Sequence, residues 1–172
     1  MKFQRLSPSC GSAIRSRRWR SNSSFWVARA GEVLGANWGE IDLEGKVWIV
    51  PASRMKAGRE HRVPLPARAI EIIDRMAAMR SGDFVFPGQR RGKGLGQASL
   101  WRLCSGAGTV HGFRSSFRDW CGDQTSFPRE IAEHALAHAT GSAVEQAYRR
   151  GDAIEKRRGL MEAWASYVEP RS

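Results

Sequence analysis

The stretch IDLEGKVWIVPASRMKAGREHRVPL, residues 41–65, decides the fold because short apolar runs alternate in it with turn residues. These runs predict three antiparallel β-strands. The strands are Ile41–Leu43, Val47–Val50 and His61–Leu65. Glu44-Gly45 supplies the first turn, and Met55–Gly58 lies in the second. A meander of this size buries too little apolar surface to be stable alone, so it must pack against helices.

Helical patterns surround the predicted sheet. Phe113, Phe117 and Trp120 recur at helical spacing, and Pro66 and Pro128 stand where helices prefer proline, in the first turn. The predicted helices are Arg29–Asn37, Pro66–Met79, Gly112–Cys121, Pro128–Ala137, Val144–Arg149 and Asp152–Tyr167. We therefore predict an α+β fold that is mainly helical and carries a small three-stranded antiparallel sheet.

The composition limits the class of protein. A chain of 172 residues is long enough for one domain with a core. Its 28 Lys+Arg outnumber its 17 Asp+Glu, and the net charge of +11 attracts polyanions, nucleic acid first and anionic membranes second. The Ser- and Arg-rich residues 1–24 are interpreted as a disordered or aberrant basic arm, and residues 25–172 as one domain.

The chain carries no signal for a membrane or an oxidising compartment. No apolar run approaches the length of a spanning helix, and the basic N-terminus lacks the apolar core of a signal peptide. Cys10, Cys104 and Cys121 are odd in number and form no CxxC pattern. They are interpreted as reduced thiols, so we expect a cytoplasmic protein.

Tyr148 is a candidate nucleophile, although an isolated tyrosine is more often a half-buried aromatic residue. A phenol reacts poorly at neutral pH unless cationic or basic groups favour its phenolate character. Arg29 and Arg114 could provide such a field, since a guanidinium fork matches two phosphate oxygens and stabilises the extra charge of a phosphorane. Taken singly, each arginine of a basic chain is more often a solvated surface residue. Arg114 is less ordinary because it follows His111 by one turn on an aromatic-faced helix.

Lys56 and His138 complete the candidate set. Lys56 lies at the tip of the predicted hairpin, where it could protonate a leaving alkoxide or serve only for solubility. His134 and His138 are four residues apart with Glu130 one turn earlier, a spacing that suits a metal. However, Ala135 stands where zincins carry glutamate, and no further Asp, Glu or Cys completes a site. We therefore expect no metal, and His134 is interpreted as structural or superficial.

A further group of basic residues suits contacts with the phosphates of double-stranded DNA. Such contacts give affinity and salt dependence but not sequence choice, and solvated loops are an equally good interpretation. The candidate DNA-binding residues are Arg54, Arg59, Arg90, Arg91, Lys93, Arg118 and Arg149.

The ordered set Arg … Lys … His-x-x-Arg … His … Tyr resembles the catalytic domain of tyrosine recombinases, and more closely that of phage and genomic-island integrases. The resemblance covers about residues 28–168 and rests on five segments. They are Ala28–Trp38, Arg54–Leu65, Val110–Trp120, Leu136–His138 and Ala147–Arg150. Such integrases usually carry DNA-binding domains before the catalytic one, and we expect these to be absent here.

The resemblance implies the roles of the six residues. Tyr148 would attack the scissile phosphate and form a 3′-phosphotyrosyl link with release of a 5′-hydroxyl. Arg29, Arg114 and His138 would hold the phosphate, His111 would act as base or positioner, and Lys56 as general acid. The link conserves the bond energy, so no cofactor is expected. Strand exchange would take place in a homo-tetramer on DNA, to which the C-terminal helix contributes.

Three functions remain open from the sequence. The first is site-specific recombination and integration by an active enzyme. The second is a catalytically inactive integrase remnant that still binds DNA. The third is nicking and closing of DNA in the manner of type IB topoisomerases, which use the same residue types. Likewise, Leu160, Met161 and Trp164 of the last helix could pack internally or against a neighbouring protomer.

Overall fold

The computed structural model describes residues 27–90, 92–99, 110–138 and 153–168. Five α-helices and a three-stranded sheet lie in these ranges. In chain order the elements are α1 Ala30–Leu34, β1 Ile41–Asp42, β2 Val47–Val50, β3 His61–Pro64, α2 Ala67–Ala78, α3 Val110–Gln124, α4 Arg129–Ala135 and α5 Ile154–Val168. Short 3-10 helices occupy Trp38–Glu40 and Ala52–Arg54. The prediction of a mainly helical α+β fold is confirmed.

The sheet is the predicted antiparallel meander, with strand order β1-β2-β3. Trp48 pairs with Ile41 on one side and with Val63 on the other, so β2 is the central strand. The β2 residues Val47, Trp48 and Val50 are buried, as expected for a strand covered on its faces by other elements. The first core cluster gathers around this sheet, with Ala69, Ile72 and Ile73 of α2 and Val33 of α1 among its members.

The helical half of the molecule has its own core cluster. Phe117 and Trp120 of α3 meet Trp164 of α5, with the Phe117 and Trp164 rings edge to face at 5.3 Å. Leu160 and Met161 are buried in the same cluster. Leu160, Met161 and Trp164 of α5 therefore pack inside the chain's own core. Burial of each large apolar side chain stabilises the folded state by roughly 1.5–3 kcal/mol.

Helix α5 also connects the core cluster around the sheet with the core cluster between the helices. It packs on β3 and on α4. The amide of Ala67 donates to Glu162 Oε1 at 3.0 Å, which satisfies one of the unpaired N–H groups at the start of α2. Arg158 donates to the carbonyls of Gly45 and Lys46, in the turn before β2, at 3.2 Å. These contacts fix the sheet and α2 against α5, which in turn packs on α4, the helix that precedes His138.

The helix boundaries differ from the predictions in an informative way. Helix α3 is longer than the predicted Gly112–Cys121 segment at both ends. Helix α4 stops at Ala135, earlier than predicted, because Ala137 adopts a left-handed conformation with φ 51° and cannot continue the helix. The predicted helix Val144–Arg149 lies outside the described residues.

Candidate active site

Arg29 is held in place at the start of α1. Its backbone N–H donates to Glu32 Oε2 at 2.7 Å, and its Nη1 donates to Glu32 Oε1 at 2.9 Å. Glutamate at the third position of a helix is suited to this return contact with the residue that caps it. The Glu32 side chain is 4% exposed, whereas that of Arg29 is 30% exposed. The Arg29 guanidinium is thus held by a buried carboxylate and remains accessible to solvent.

Arg114 lies in the middle of the candidate site and is buried. It projects from α3 and donates to the carbonyl of Val27 and, at 2.6 Å, to the carbonyl of Leu136. Burial, followed by the nearby charge of Arg29, lowers the pKa of Arg114 to about 10. The guanidinium therefore stays charged at neutral pH. Its contacts draw the segment before α1 and the end of α4 together.

His138 faces Arg114 directly. Nε2 of His138 is 3.2 Å from Nη2 of Arg114, and Nδ1 is 2.6 Å from Oε2 of Glu133. Glu133 is buried, and its Oε1 is 3.0 Å from Nε of Arg118 and 3.7 Å from Nε of Arg129. Burial opposes ionisation of Glu133, but the hydrogen bond with His138 and the charges of the two arginines outweigh it and lower the pKa of this carboxyl.

Of the remaining candidate catalytic residues, the structure describes Lys56 fully, His111 only in its backbone and Tyr148 not at all. Lys56 is exposed in the turn that follows the Ala52–Arg54 helix, and no hydrogen bond or ion pair joins it to Arg29, Arg114 or His138 in the described part of the chain. His111 lies in the first turn of α3, and its side chain is outside what the structure describes. Tyr148 lies outside the described residues.

The candidate DNA-binding residues fall into three groups. Arg59, Arg90, Lys93 and Arg118 are exposed. Arg54 turns inward, where Nη1 lies 2.5 Å from both carboxylate oxygens of Glu40 and Nη2 donates to the carbonyl of Glu32. Arg91 and Arg149 lie outside the described residues.

Sequence reasoning missed the acidic residues that organise these cations, Glu32 and Glu133. The capping pattern Arg-x-x-Glu was a usable signal for Glu32. Glu133 and His138 are five residues apart, which is not a helical contact spacing, so only the turn at Ala137 brings them together.

His61 was also missed, at the start of β3. Its side chain lies close to the backbone of Ala135, next to the turn that carries His138. Burial, followed by the charge of Arg157, lowers its pKa to about 4. A neutral His61 therefore lies where the strand that follows the turn with Lys56 approaches the end of α4.

The described ranges contain neither a metal site nor a membrane-spanning helix. These ranges hold no group of three or more His, Cys, Asp or Glu side chains arranged to bind a metal ion. None of the helices described is long and apolar enough to cross a membrane.

Comparison with known proteins gives a consistent result. The model of the phage integrase family matches residues 27–154. Prophage integrase IntA of Escherichia coli K12 is 36% identical over 150 residues, which cover 83% of this chain and 36% of that protein. The integrase of Shigella phage Sf6 is 26% identical over 155 residues, which cover 86% of this chain and 40% of that one. The chain thus spans well under half the length of these two relatives.

Solved structures share the fold. The integrase from mycobacterium phage Brujita aligns with a TM-score of 0.64 at 17% identity, covering 100% of this chain and 63% of that one. The structure of XerA recombinase aligns with a TM-score of 0.56 at 15% identity, covering 100% of this chain and 67% of that one.

Proposed function

Because the chain belongs to the phage integrase family, we propose that it cleaves and rejoins DNA strands in site-specific recombination. The observation that carries the proposal is the meeting of Arg114 and His138, with Nη2 and Nε2 3.2 Å apart and the charge of Arg29 close by. Two guanidinium groups and a partly exposed imidazole ring lie together here. Such a group suits a phosphodiester, whose oxygens accept charge-assisted hydrogen bonds.

The proposed reaction is an in-line displacement at phosphorus. The Tyr148 hydroxyl oxygen forms the new P–O bond, the bond to the 5′ oxygen breaks, and Lys56 gives its proton to that oxygen. His111 assists as base or positioner for the tyrosine proton. The product is a 3′-phosphotyrosyl link and a free 5′-hydroxyl, and a 5′-hydroxyl of another strand reverses the step. The phosphodiester energy is kept in the link, so the reaction draws on no nucleotide cofactor.

Arg29, Arg114 and His138 are proposed to stabilise the phosphorane. Its equatorial oxygens carry more negative charge than those of the ground state, so fixed donors lower the barrier. The anchoring of Arg29 by Glu32 and of Arg114 by two carbonyls supports this role, because donors held before the phosphate arrives need little reorganisation.

A suicide-substrate assay tests the proposal. The full chain is incubated with a pool of nicked duplexes that carry many candidate attachment sequences, and a covalent adduct is sought on denaturing gels and by peptide mapping. The sequence contains two tyrosines, so Tyr167→Phe is a matched control for Tyr148→Phe. We expect an adduct with wild type and Tyr167→Phe and none with Tyr148→Phe. An adduct that survives Tyr148→Phe refutes the nucleophile, and the absence of any wild-type adduct across the pool refutes catalysis.

Two further measurements, DNA binding and plasmid relaxation, distinguish the two alternative functions. Salt-dependent DNA binding without an adduct would identify a catalytically inactive DNA-binding protein. Relaxation of supercoiled plasmid without exchange between two duplexes would identify nicking and closing alone.

The expected homo-tetramer on DNA is part of the proposal and needs a separate measurement. Leu160, Met161 and Trp164 are buried inside the chain, so a contact of α5 with another protomer would use its exposed side, which includes Tyr167. Light scattering with a two-site DNA tests for four copies.

A further inference from the structure

Four side chains form a continuous line of contacts from the candidate phosphate site to the protein surface. Nη2 of Arg114 lies 3.2 Å from Nε2 of His138, and Nδ1 of the same ring lies 2.6 Å from Oε2 of Glu133. The other carboxylate oxygen, Oε1, lies 3.0 Å from Nε of Arg118. The imidazole is therefore held between a guanidinium on one side and a carboxylate on the other.

The hydrogen-bonding chemistry of the two neighbours determines the position of the ring proton. A guanidinium has only donors and an ionised carboxylate has only acceptors. Nε2 must therefore accept from Arg114, and Nδ1 must carry the proton that it donates to Glu133. We infer that Glu133 is a positioning residue that fixes His138 in the Nδ1–H tautomer, with Nε2 directed toward the candidate phosphate site.

The local fold holds this pair by two independent contacts. The left-handed conformation of Ala137 turns the chain back after α4, so that the backbone N–H of His138 donates to the carbonyl of Glu133 at 2.9 Å. The Glu133 side chain then reaches the ring of the same residue. The carboxyl is buried, and the hydrogen bond with His138 and the charges of Arg118 and Arg129 nevertheless lower its pKa. Glu133 is thus an ionised acceptor at neutral pH.

The inference deepens the proposed function and rests on it for its catalytic consequence. A phosphate oxygen cannot bind the lone pair of Nε2, so Nε2 must take a proton from solvent when the phosphate displaces the contact with Arg114. Both ring nitrogens then donate, one to the phosphate and one to Glu133. The carboxylate balances the new imidazolium charge beside Arg114, Arg118 and Arg129. Without it, His138 would have to become charged among cations alone.

Nitrogen-15 NMR of the histidine rings tests the tautomer without DNA. The full chain is labelled at its four histidines, and the signals of His138 are identified by their loss in His138→Asn. We expect the Nδ1–H pattern in wild type. Glu133→Ala removes the acceptor that holds the ring against Arg114, so the ring can turn away from the guanidinium and should shift toward the Nε2–H pattern. Glu130→Ala, on the exposed side of the same helix, should leave the pattern unchanged. An Nε2–H pattern in wild type, or an unchanged pattern in Glu133→Ala, overturns the inference.

Adduct formation on the suicide-duplex pool tests the catalytic consequence. Glu133→Gln keeps an oxygen that can accept from Nδ1 but removes the charge, so a merely structural role would leave its rate at the wild-type level. We expect both Glu133→Gln and Glu133→Ala to slow the reaction by about 10- to 100-fold, the range seen when carboxylates that orient metal-binding histidines are removed. A wild-type rate for Glu133→Gln refutes the charge-balancing role. If wild type forms no adduct, the proposed function fails, while the NMR result still decides the tautomer.

Discussion

Replacing Arg54 by alanine distinguishes two roles for this arginine, which ends the short helix before the turn with Lys56. One role is a contact with DNA, and the other is an internal contact that stabilises the fold. As a basic residue in a polar loop, Arg54 is predicted to contact DNA phosphates. In the structure its Nη1 contacts both oxygens of Glu40 at 2.5 Å, and its Nη2 donates to the carbonyl of Glu32. Glu40 also accepts from Trp48 Nε1 at 3.0 Å. Arg54 thus connects α1, the Trp38–Glu40 helix and the loop that leads to Lys56.

The expected cost follows from these contacts. The side chains of Arg54 and Glu40 are 22% and 12% exposed, so the pair lies between a surface and a buried ion pair. Hydrogen bonds to charged groups contribute about 1.5–3 kcal/mol, and leaving a fully buried charge unpaired costs about 3–5 kcal/mol. Glu40 keeps its contact with Trp48, so we expect Arg54→Ala to lower the free energy of unfolding by about 3 kcal/mol. For a chain of this length that is about 6–12 °C in Tm.

Two measurements on matched variants decide between the roles. Thermal unfolding of Arg54→Ala is compared with that of Arg75→Ala, which makes the same charge change on the exposed face of α2. DNA affinity is then measured against salt for Arg54→Ala and for Arg59→Ala, which lies exposed on the same hairpin. A lost phosphate contact reduces the slope of log affinity against log salt by about 0.9. An unchanged Tm together with such a reduced slope for Arg54→Ala would refute the structural role.

Three further predictions concern single side chains. Burial, followed by the charge of Arg157, lowers the pKa of His61 from 6.5 to about 4, so the unfolded chain binds the proton first as pH falls. The free energy of unfolding in urea should therefore decrease from pH 6.5 to 4, by at most about 1.4 kcal/mol per pH unit, and an equally steep decrease in His61→Gln would contradict this. Burial raises the pKa of Cys121 to about 12, so iodoacetamide at pH 8 should label this thiol only in denaturant, and rapid labelling of Cys121 itself in the native chain, located by peptide mapping, would argue against it. Trp164→Ala should cost about 3–5 kcal/mol, but Trp164→Phe far less, since the indole N–H has no hydrogen-bond partner in the described residues; an equal cost for the two variants in chemical denaturation would contradict this.

The sheet and most helices were predictable because their apolar periodicity matches their burial. The strand Val47–Val50 and the helix with Phe117 and Trp120 lie where the sequence places them. The direction of Arg54 was not predictable, because loop arginines usually point to solvent. Its inward course depends on Gly35, where a Cβ atom would come within 2.8 Å of Nη2 of Arg54.

The geometry of the candidate site was less accessible to sequence reasoning than its residue types. Arg29, Arg114 and His138 could be chosen by order and chemistry, but nothing in their spacing shows which acceptors hold them. Those acceptors are the carbonyls of Val27 and Leu136 and the carboxylates of Glu32 and Glu133. They depend on a helix start, a left-handed residue and the packing of α3 beside α4, which are tertiary features.

These acceptors resolve an apparent conflict in the site. Acidic groups beside phosphate-binding cations should weaken their attraction for DNA, yet Glu32 and Glu133 are buried against two of the three. Without fixed acceptors, cations that repel one another would turn away into solvent, and their reorientation on phosphate binding would add to the barrier. A guanidinium offers five N–H groups, and Arg114 directs two to carbonyls and one to His138, which leaves two without a contact among the described residues. The buried carboxylates therefore weaken the site's own long-range attraction for DNA but keep its hydrogen-bond donors aligned before a phosphate binds. The net charge of +11 provides long-range attraction from the rest of the chain.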